Sequence, residues 1–114
     1  MKIDKFEDIL SWQKSKNLVV IVYKALHGNK DFGFKDQMQR AVVSISNNTA
    51  EGYERRSNKE FKQFLYIAKG SCGEVRSMTQ IGVELGYLKE AESREIYSNS
   101  LEISKLISGL IKVL

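Results

Sequence analysis

The chain contains no proline, one cysteine and one histidine among its 114 residues. The absence of proline removes the commonest helix breaker and favours long helices. The single cysteine, Cys72, excludes an internal disulfide and fits a reducing, intracellular setting. One histidine, His27, cannot supply the histidine pairs of a dinuclear metal centre in a helical bundle.

Long apolar runs are also lacking. The longest, at residues 18–23, is far shorter than the roughly 20 residues that a membrane-spanning helix needs. The first ten residues, MKIDKFEDIL, are charged and do not contain the apolar core of a secretory signal. We therefore expect a cytoplasmic protein with no membrane segment.

What is present is typical of a small folded protein with a modest basic excess. Hydrophobic residues make up 42% of the chain, which is ample for a core, and 18 lysines and arginines face 14 acidic residues. At this length we expect a single domain over residues 1–114. Because a net charge of +4 does not identify a ligand, only the clustering of the basic residues is informative.

Apolar residues recur every three or four positions in four segments, as they do along one face of an α-helix. The segments predict helices at about residues 7–27, 34–55, 58–85 and 90–114. Gly28 is expected to cap the first helix, while Ser57 and Glu60 form an S-x-x-E capping box that starts the third. This pattern predicts an all-α, antiparallel up-down-up-down four-helix bundle.

The same spacing predicts which side chains face the core. In the first two helices they are Ile9, Trp12, Val19, Tyr23 and Leu26, then Met38, Val42, Ile45, Thr49 and Gly52. The third helix carries one stripe of Phe61, Leu65, Ala68, Cys72, Val75, Thr79 and Gly82, and a second of Phe64, Ile67, Ser71, Glu74, Met78, Ile81 and Leu85. Two adjacent stripes predict a wide buried face, as in a helix packed between several neighbours.

Four polar residues lie along or beside these stripes: Asn48, Glu51, Ser71 and Glu74. Asn48 and Glu51 are three positions apart and therefore share a helix face, and so do Ser71 and Glu74. Two carboxylates in a bundle suggest a dinuclear metal centre, but such centres use several carboxylates with E-x-x-H pairs, and this chain has no such pair. We expect no metal or cofactor, and we interpret the set as a buried polar network that sets helix register.

The string Gly70-Ser71-Cys72-Gly73 places four small residues in one predicted helical turn. Each glycine there costs the helix about 1 kcal/mol relative to alanine. We therefore expect a neighbouring backbone to approach closely at this turn. Gly52 is expected either to play the same part against the third helix or to relax the second helix near its end. A phosphate-binding glycine loop is excluded because neither of its motifs occurs in the chain.

The densest positive stretch of the chain lies within residues 55–69. It contains Arg55, Arg56, Lys59, Lys62 and Lys69, with aromatic residues interleaved and Glu60 as its one acid. Positive charge beside aromatic rings suits the phosphates and unpaired bases of nucleic acids. With Arg40, these residues are candidates for binding nucleic acid; the alternative interpretation is a solvated helix face.

No arrangement of residues predicts catalysis. Cys72 lies on the inner stripe of the third helix with no histidine near it in sequence, which is typical of a small core residue. The serines have no histidine to activate them in a triad. An enzyme is a third hypothesis that rests only on Glu51 and Glu74, and we expect none.

The centre of the chain resembles the signature of a bacterial four-helix bundle family first described from proteins encoded in intervening sequences of 23S ribosomal RNA genes. The family pattern S-I-P-S-N-I-A-E-G is matched by residues 44–52, SISNNTAEG. Arg55 and Arg56 follow, and E-F-x-x-F-L-x-I-A-x-G-S-x-x-E-L is matched by EFKQFLYIAKGSCGEV at residues 60–75. The departures include Ser46 in place of proline, and Thr49 and Val75 in place of aliphatic residues.

The resemblance implies an antiparallel bundle that assembles, in relatives, into a ring-like homopentamer. It also implies similarity to the accessory variability determinant of diversity-generating retroelements, a basic barrel that binds nucleic acid and a reverse transcriptase. Our leading hypothesis is therefore a non-enzymatic homo-oligomer that binds RNA or another nucleic acid. The alternative is an oligomeric scaffold that binds a protein partner and no nucleic acid.

Overall fold

The computed structural model describes residues 3–114. A short 3-10 helix at Phe6–Asp8 leads into four α-helices: α1 (Leu10–Ala25), α2 (Phe32–Tyr53), α3 (Asn58–Glu84) and α4 (Glu90–Val113). The described residues contain no strand, and each predicted helix boundary lies within three residues of the observed one. The prediction of an all-α fold is confirmed.

Each helix packs against the helices before and after it in the sequence, and α4 returns to pack against α1. Side-chain contacts give the directions. Ser44 on α2 meets Ser71 on α3, whereas Gln37, farther from the connecting turn, meets Glu74. Lys14 near the start of α1 pairs with Glu102 in the second half of α4. Because early positions of one helix meet late positions of its neighbour, the four helices form an antiparallel bundle.

Capping side chains and glycines set the ends of the helices. The Ser57 hydroxyl accepts a hydrogen bond from the Glu60 backbone N–H at 3.2 Å and so starts α3, as the capping box predicts. Gly28 has a φ of 79° beyond the end of α1, in the left-handed region that favours glycine. These local signals explain why the predicted turns fall close to the observed ones.

The core runs along the bundle axis and includes every predicted seam residue of α2. The prediction for α1 is wrong in part, because Tyr23 is exposed while Leu18 and Val22 are fully buried. Ser11 and Ser15 also lie on the buried face. The Ser15 hydroxyl donates to the Ser11 carbonyl and is thereby satisfied within the helix. Apolar spacing alone does not predict that these two polar residues are buried.

On α3 only one of the two predicted stripes is buried. Every member of the stripe that begins at Phe61 is in the core. In the other stripe Met78 is buried, but Ile67, Ile81 and Leu85 are each about half-exposed. The prediction of a wide buried face is therefore wrong for a single chain, which has only α2 and α4 to pack against α3.

The close helix approach expected at Gly70 and Gly73 is also wrong. A Cβ added at Gly70 would meet nothing within 4 Å, because this glycine lies on the outward side of α3. The close approach expected at Gly52 is confirmed, because an added Cβ there would lie 2.6 Å from the Phe64 Cβ. Spacing along one helix shows that two glycines share a turn, but it does not show which way that turn faces.

Candidate nucleic-acid-binding surface

Four cationic side chains lie within eight residues at the junction of α2 and α3. Arg55 and Arg56 occupy the turn, and Lys59 and Lys62 follow in the first turns of α3. The first three are exposed and Lys62 is half-buried. We call these four residues the basic turn. They share one end of the bundle because the capping box at Ser57 ends the turn and starts a helix immediately.

Arg55 is the most restrained member of the basic turn. Its guanidinium carbon lies 4.8 Å from the centre of the Phe64 ring, a cation–π arrangement. Its Nε is 3.9 Å from a Glu60 carboxylate oxygen, so the ion pair is at the limit of contact and largely exposed. The ring orients the guanidinium without neutralising it, and a guanidinium presents several N–H donors to a phosphate.

A shallow depression of about 290 Å³ adjoins the basic turn and is lined by both arginines, Ser57 and Asn58. Tyr53 forms another part of its wall and donates a hydrogen bond to the Ile3 carbonyl at 2.6 Å. Ser57 and Asn58 lie at the N-terminus of α3 and line the same depression, so the positive end of the helix dipole favours an anion there. The arrangement is suited chemically to a phosphate group.

The remaining two candidates lie apart from the basic turn. Lys69 is exposed and follows Lys62 by seven residues, about 10 Å along α3. Arg40 lies about 20 Å before the end of α2, and its Nε donates to Asp36 at 2.9 Å. The structure thus brings together four of the six predicted residues and leaves Arg40 outside the group.

Sequence reasoning did not assign Arg76 to this surface. It follows Lys69 by seven residues and therefore continues the row of Lys62 and Lys69 on the flank of α3 that faces α4. Its guanidinium donates to the Ser100 hydroxyl at 3.3 Å. The seven-residue spacing of Lys62, Lys69 and Arg76 is the signal in the sequence from which this row could have been identified.

The predicted polar network is only partly formed, and it is not buried. The Ser44 and Ser71 hydroxyls lie 2.9 Å apart, and the Asn48 amide donates to the Ser44 hydroxyl and carbonyl. Glu74 is exposed and accepts from Gln37 at 3.3 Å. Glu51 is exposed, since it lies about 100° around α2 from the buried position Gly52. The expectation of a buried carboxylate pair is therefore corrected to a half-buried seam of small polar groups between α2 and α3.

Cys72 is fully buried in the core of the bundle, where burial raises the pKa of its thiol to about 11. A thiol with this pKa stays protonated at neutral pH and is a poor nucleophile. Within residues 3–114, no group of three or more histidine, cysteine, aspartate or glutamate side chains is placed to hold a metal ion. In the same part of the chain, no helix is both long enough and apolar enough to span a bilayer.

Comparison with solved structures finds a close likeness of fold. The crystal structure of a protein of unknown function from the S23 ribosomal protein family of Bacteroides thetaiotaomicron superposes with a TM-score of 0.84. The two chains are 27% identical, and the match covers 90% of this chain and 99% of the other. No curated protein matches the chain.

Comparison with protein families identifies one that spans nearly all of the bundle. The model of the 23S rRNA-intervening sequence protein family matches residues 7–109, from the 3-10 helix to the last turns of α4. This match includes the basic turn and the seam between α2 and α3. The chain therefore belongs to the family of 23S rRNA-intervening sequence proteins.

Proposed function

We propose that this protein is a non-enzymatic homo-oligomer of the cytoplasm that binds RNA or another nucleic acid through the basic turn. The observation that carries the proposal is the concentration of Arg55, Arg56, Lys59 and Lys62 at one end of the bundle, three of them exposed. Phosphates supply most of the affinity of sequence-independent nucleic-acid binding, and arginine and lysine are the residues that contact them.

The test is a binding titration of a structured RNA and of single-stranded DNA, followed by fluorescence anisotropy between 50 and 200 mM salt. If the basic turn contacts about four phosphates, the log–log slope of affinity against salt is expected to be roughly −3 to −4. Replacement of Arg55, Arg56 and Lys59 by glutamine should flatten the slope by about two to three and weaken binding at low salt.

A matched control removes three charges elsewhere. Lys24, Lys30 and Lys89 are exposed and lie at or near the two turns of the opposite end of the bundle. Their replacement by glutamine changes the net charge by the same amount and should leave most of the affinity. Equal losses of affinity in both triple variants would show that binding depends on net charge alone and not on the basic turn. The absence of binding at 50 mM salt would refute the proposal.

The proposal of self-association is supported by an outward-facing row on α3 that we call the outer stripe. It consists of Ile67, Gly70, Glu74, Ser77, Ile81 and Leu85, all exposed and spaced by three or four residues. This row has one charged residue and three large apolar ones. Exposed apolar surface of this kind is typical of protein contact sites, and the glycine permits close approach of another backbone.

Light scattering after size-exclusion chromatography tests the assembly. Replacement of Ile67 and Ile81 by aspartate should convert an oligomer to a smaller species, while the exposed Leu101 on α4 supplies a control position for the same substitution. A wild-type protein that is strictly monomeric at high concentration would contradict the oligomer.

The second candidate function is an oligomeric protein-interaction scaffold. It is favoured by the outer stripe alone, because a nearly uncharged apolar row suits a protein partner better than a phosphate backbone. A stable oligomer that binds neither RNA nor DNA at low salt would support this function over the first.

A further inference from the structure

Positive charge continues from the basic turn along the flank of α3 that faces α4. Lys62, Lys69 and Arg76 follow one another at seven-residue intervals, so they lie in one row that is about 21 Å long. Among residues 3–114, none of these three side chains lies within 4 Å of a carboxylate oxygen. The row therefore carries three cations that this part of the chain does not pair.

Arg76 is held in this row by α4. The Ser100 hydroxyl donates to the Cys72 carbonyl at 2.9 Å and accepts from the Arg76 guanidinium at 3.3 Å. A guanidinium carries several N–H donors, so one bond to a neutral hydroxyl leaves most of them free. Ser100 thus orients the cation without neutralising it, which suits contact with a phosphate.

Tyr66 lies between two of these cations. It follows Lys62 by four residues and precedes Lys69 by three, which places all three on one face of α3. Tyr66 is 60% exposed, and its ring stacks on no other ring and under no cation of residues 3–114. A single exposed tyrosine is ordinary, but an open ring with a cation on each side is suited to stacking the bases of a single nucleic-acid strand.

Tyr97 of α4 extends the row past Arg76. It lines a groove of about 460 Å³ together with Gln80, which follows Arg76 by about one helical turn, and it is 38% exposed. Glu90 also lines this groove, and its carboxylate pairs with Arg94 of the same helix at 3.7 Å. A second open aromatic ring thus lies at the end of the cationic row.

We propose that these residues bind a single strand of RNA or DNA, whose phosphates contact the cations and whose bases stack on the two tyrosines. We call Lys62, Tyr66, Lys69, Arg76 and Tyr97 the tyrosine row. This inference rests on the proposed function and adds the class of nucleic acid. A duplex keeps its bases stacked on one another, whereas a single strand leaves base faces open to aromatic side chains. At about 3.4 Å per nucleotide of a stacked strand, the roughly 21 Å from Lys62 to Arg76 correspond to about six nucleotides.

One labelled DNA strand of about 12 nucleotides, alone or annealed to its complement, tests the class of ligand. Fluorescence anisotropy at 50 mM salt gives the affinity of each form for the intact protein. Although the duplex has the higher charge density, the single strand should bind at least about fivefold more tightly, the smallest effect expected of one stacked base. Equal affinities, or tighter binding of the duplex, would overturn this inference and leave the proposed function in place.

Paired substitutions locate the stacking. Tyr66→Leu with Tyr97→Leu should weaken single-strand binding by at least about fivefold and leave the salt slope unchanged, because no charge is removed. Tyr66→Phe with Tyr97→Phe keeps both rings and should retain the affinity. The control pair, Tyr23→Leu with Phe32→Leu, removes two exposed aromatic rings on α1 and at the start of α2, and it should also retain the affinity.

The outcomes separate this inference from the proposed function. Unchanged affinity in the leucine pair of the tyrosine row, or an equal loss in the phenylalanine pair or the control pair, would overturn the inference alone. Failure of the proposed function has a different signature, because then neither the strand, its duplex nor a structured RNA binds at 50 mM salt, and both proposals are refuted.

Discussion

Gly52 and Phe64 hold α2 and α3 at a distance that leaves no room for a methyl group. A Cβ built at position 52 would lie 2.6 Å from the Phe64 Cβ and 3.3 Å from the Phe61 carbonyl oxygen. Neither atom is the free end of a flexible side chain, so relief requires the helices to separate. Gly52→Ala is therefore expected to lower the free energy of unfolding by about 1–3 kcal/mol, despite the gain in helix propensity.

Gly70→Ala is the matched experiment, because Gly70 is also helical but has open space around it. Within one chain only helix propensity changes, so in a background that carries Ile67→Asp and Ile81→Asp, which removes the proposed contact between subunits, the free energy of unfolding should rise by roughly 0.5–1 kcal/mol. Urea denaturation of both variants measures the difference. Equal and favourable effects of the two substitutions would contradict the close contact at Gly52.

Removal of the α3 cap should destabilise the helix that carries half of the basic turn. Ser57→Ala deletes the acceptor for the Glu60 N–H and is expected to lower the free energy of unfolding by about 1 kcal/mol. Ser98→Ala, at an exposed position inside α4, is the control and should be neutral or slightly stabilising. Thermal denaturation of both variants gives the comparison, and equal melting temperatures would show that the cap contributes nothing.

Tyr87 is expected to control the ionisation of Asp31. Its hydroxyl donates to the Asp31 carboxylate at 2.7 Å, and this bond, followed by the Phe34 backbone N–H, holds the pKa of Asp31 below its usual value. A lowered pKa means that the contribution to stability is present above the usual aspartate range and is lost as the pH falls through the lowered value. In Tyr87→Phe the Asp31 pKa should rise and remain below normal, as measured by NMR titration of the carboxyl carbon; an unchanged pKa would contradict the contact.

The Cys72 thiol should be unreactive in the folded protein. It is fully buried with a pKa of about 11, so thiolate is scarce and reagent cannot reach it. Ellman's reagent at pH 8 is expected to react only as fast as the protein opens, and rapidly in urea. Ser98→Cys in a Cys72→Ala background places a thiol at an exposed position of α4, outside the outer stripe, and should react at once. Rapid reaction of the wild-type protein would contradict the burial of Cys72.

The raised pKa of Cys72 also predicts an alkaline effect on stability. Because burial raises the pKa of Cys72, the folded state holds its proton more tightly than the unfolded chain. The stabilising contribution is complete below the usual thiol pKa and is lost as the pH rises toward about 11. The free energy of unfolding should therefore fall less between pH 8 and 10.5 in Cys72→Ala than in wild type; parallel pH profiles would contradict this linkage.

Local chemistry in the sequence predicted most of the fold. On α2 the spacing selects the buried face, and the Thr49 hydroxyl on that face donates to the Ile45 carbonyl of the same helix. At Ser57 the cap and the helix start coincide. On α1 the same reasoning failed because Ser11 and Ser15 are small enough to lie inside. Burial of a serine depends on the packing of neighbouring helices, which periodicity along one helix does not report.

Some features of the candidate surface could likewise be predicted from the sequence, and others could not. The basic turn was predictable because its four members are consecutive or nearly so, and a turn brings them together whatever the rest of the chain does. The stacking of Arg55 on Phe64 and the contact of Arg76 with Ser100 depend on how neighbouring helices pack. Such details are tertiary properties that sequence spacing leaves undetermined.

The order in which the helices pack has a kinetic consequence. Three of the four interfaces join helices that are consecutive in the chain, and the most extensive is that between α2 and α3. Only the α1–α4 interface joins distant parts of the sequence, and it is the smallest of the four. Local contacts form quickly because little loop entropy is lost. We therefore expect the α2–α3 hairpin to form early in folding, the α1–α4 interface to close last, and amide exchange in the native state to begin along that interface.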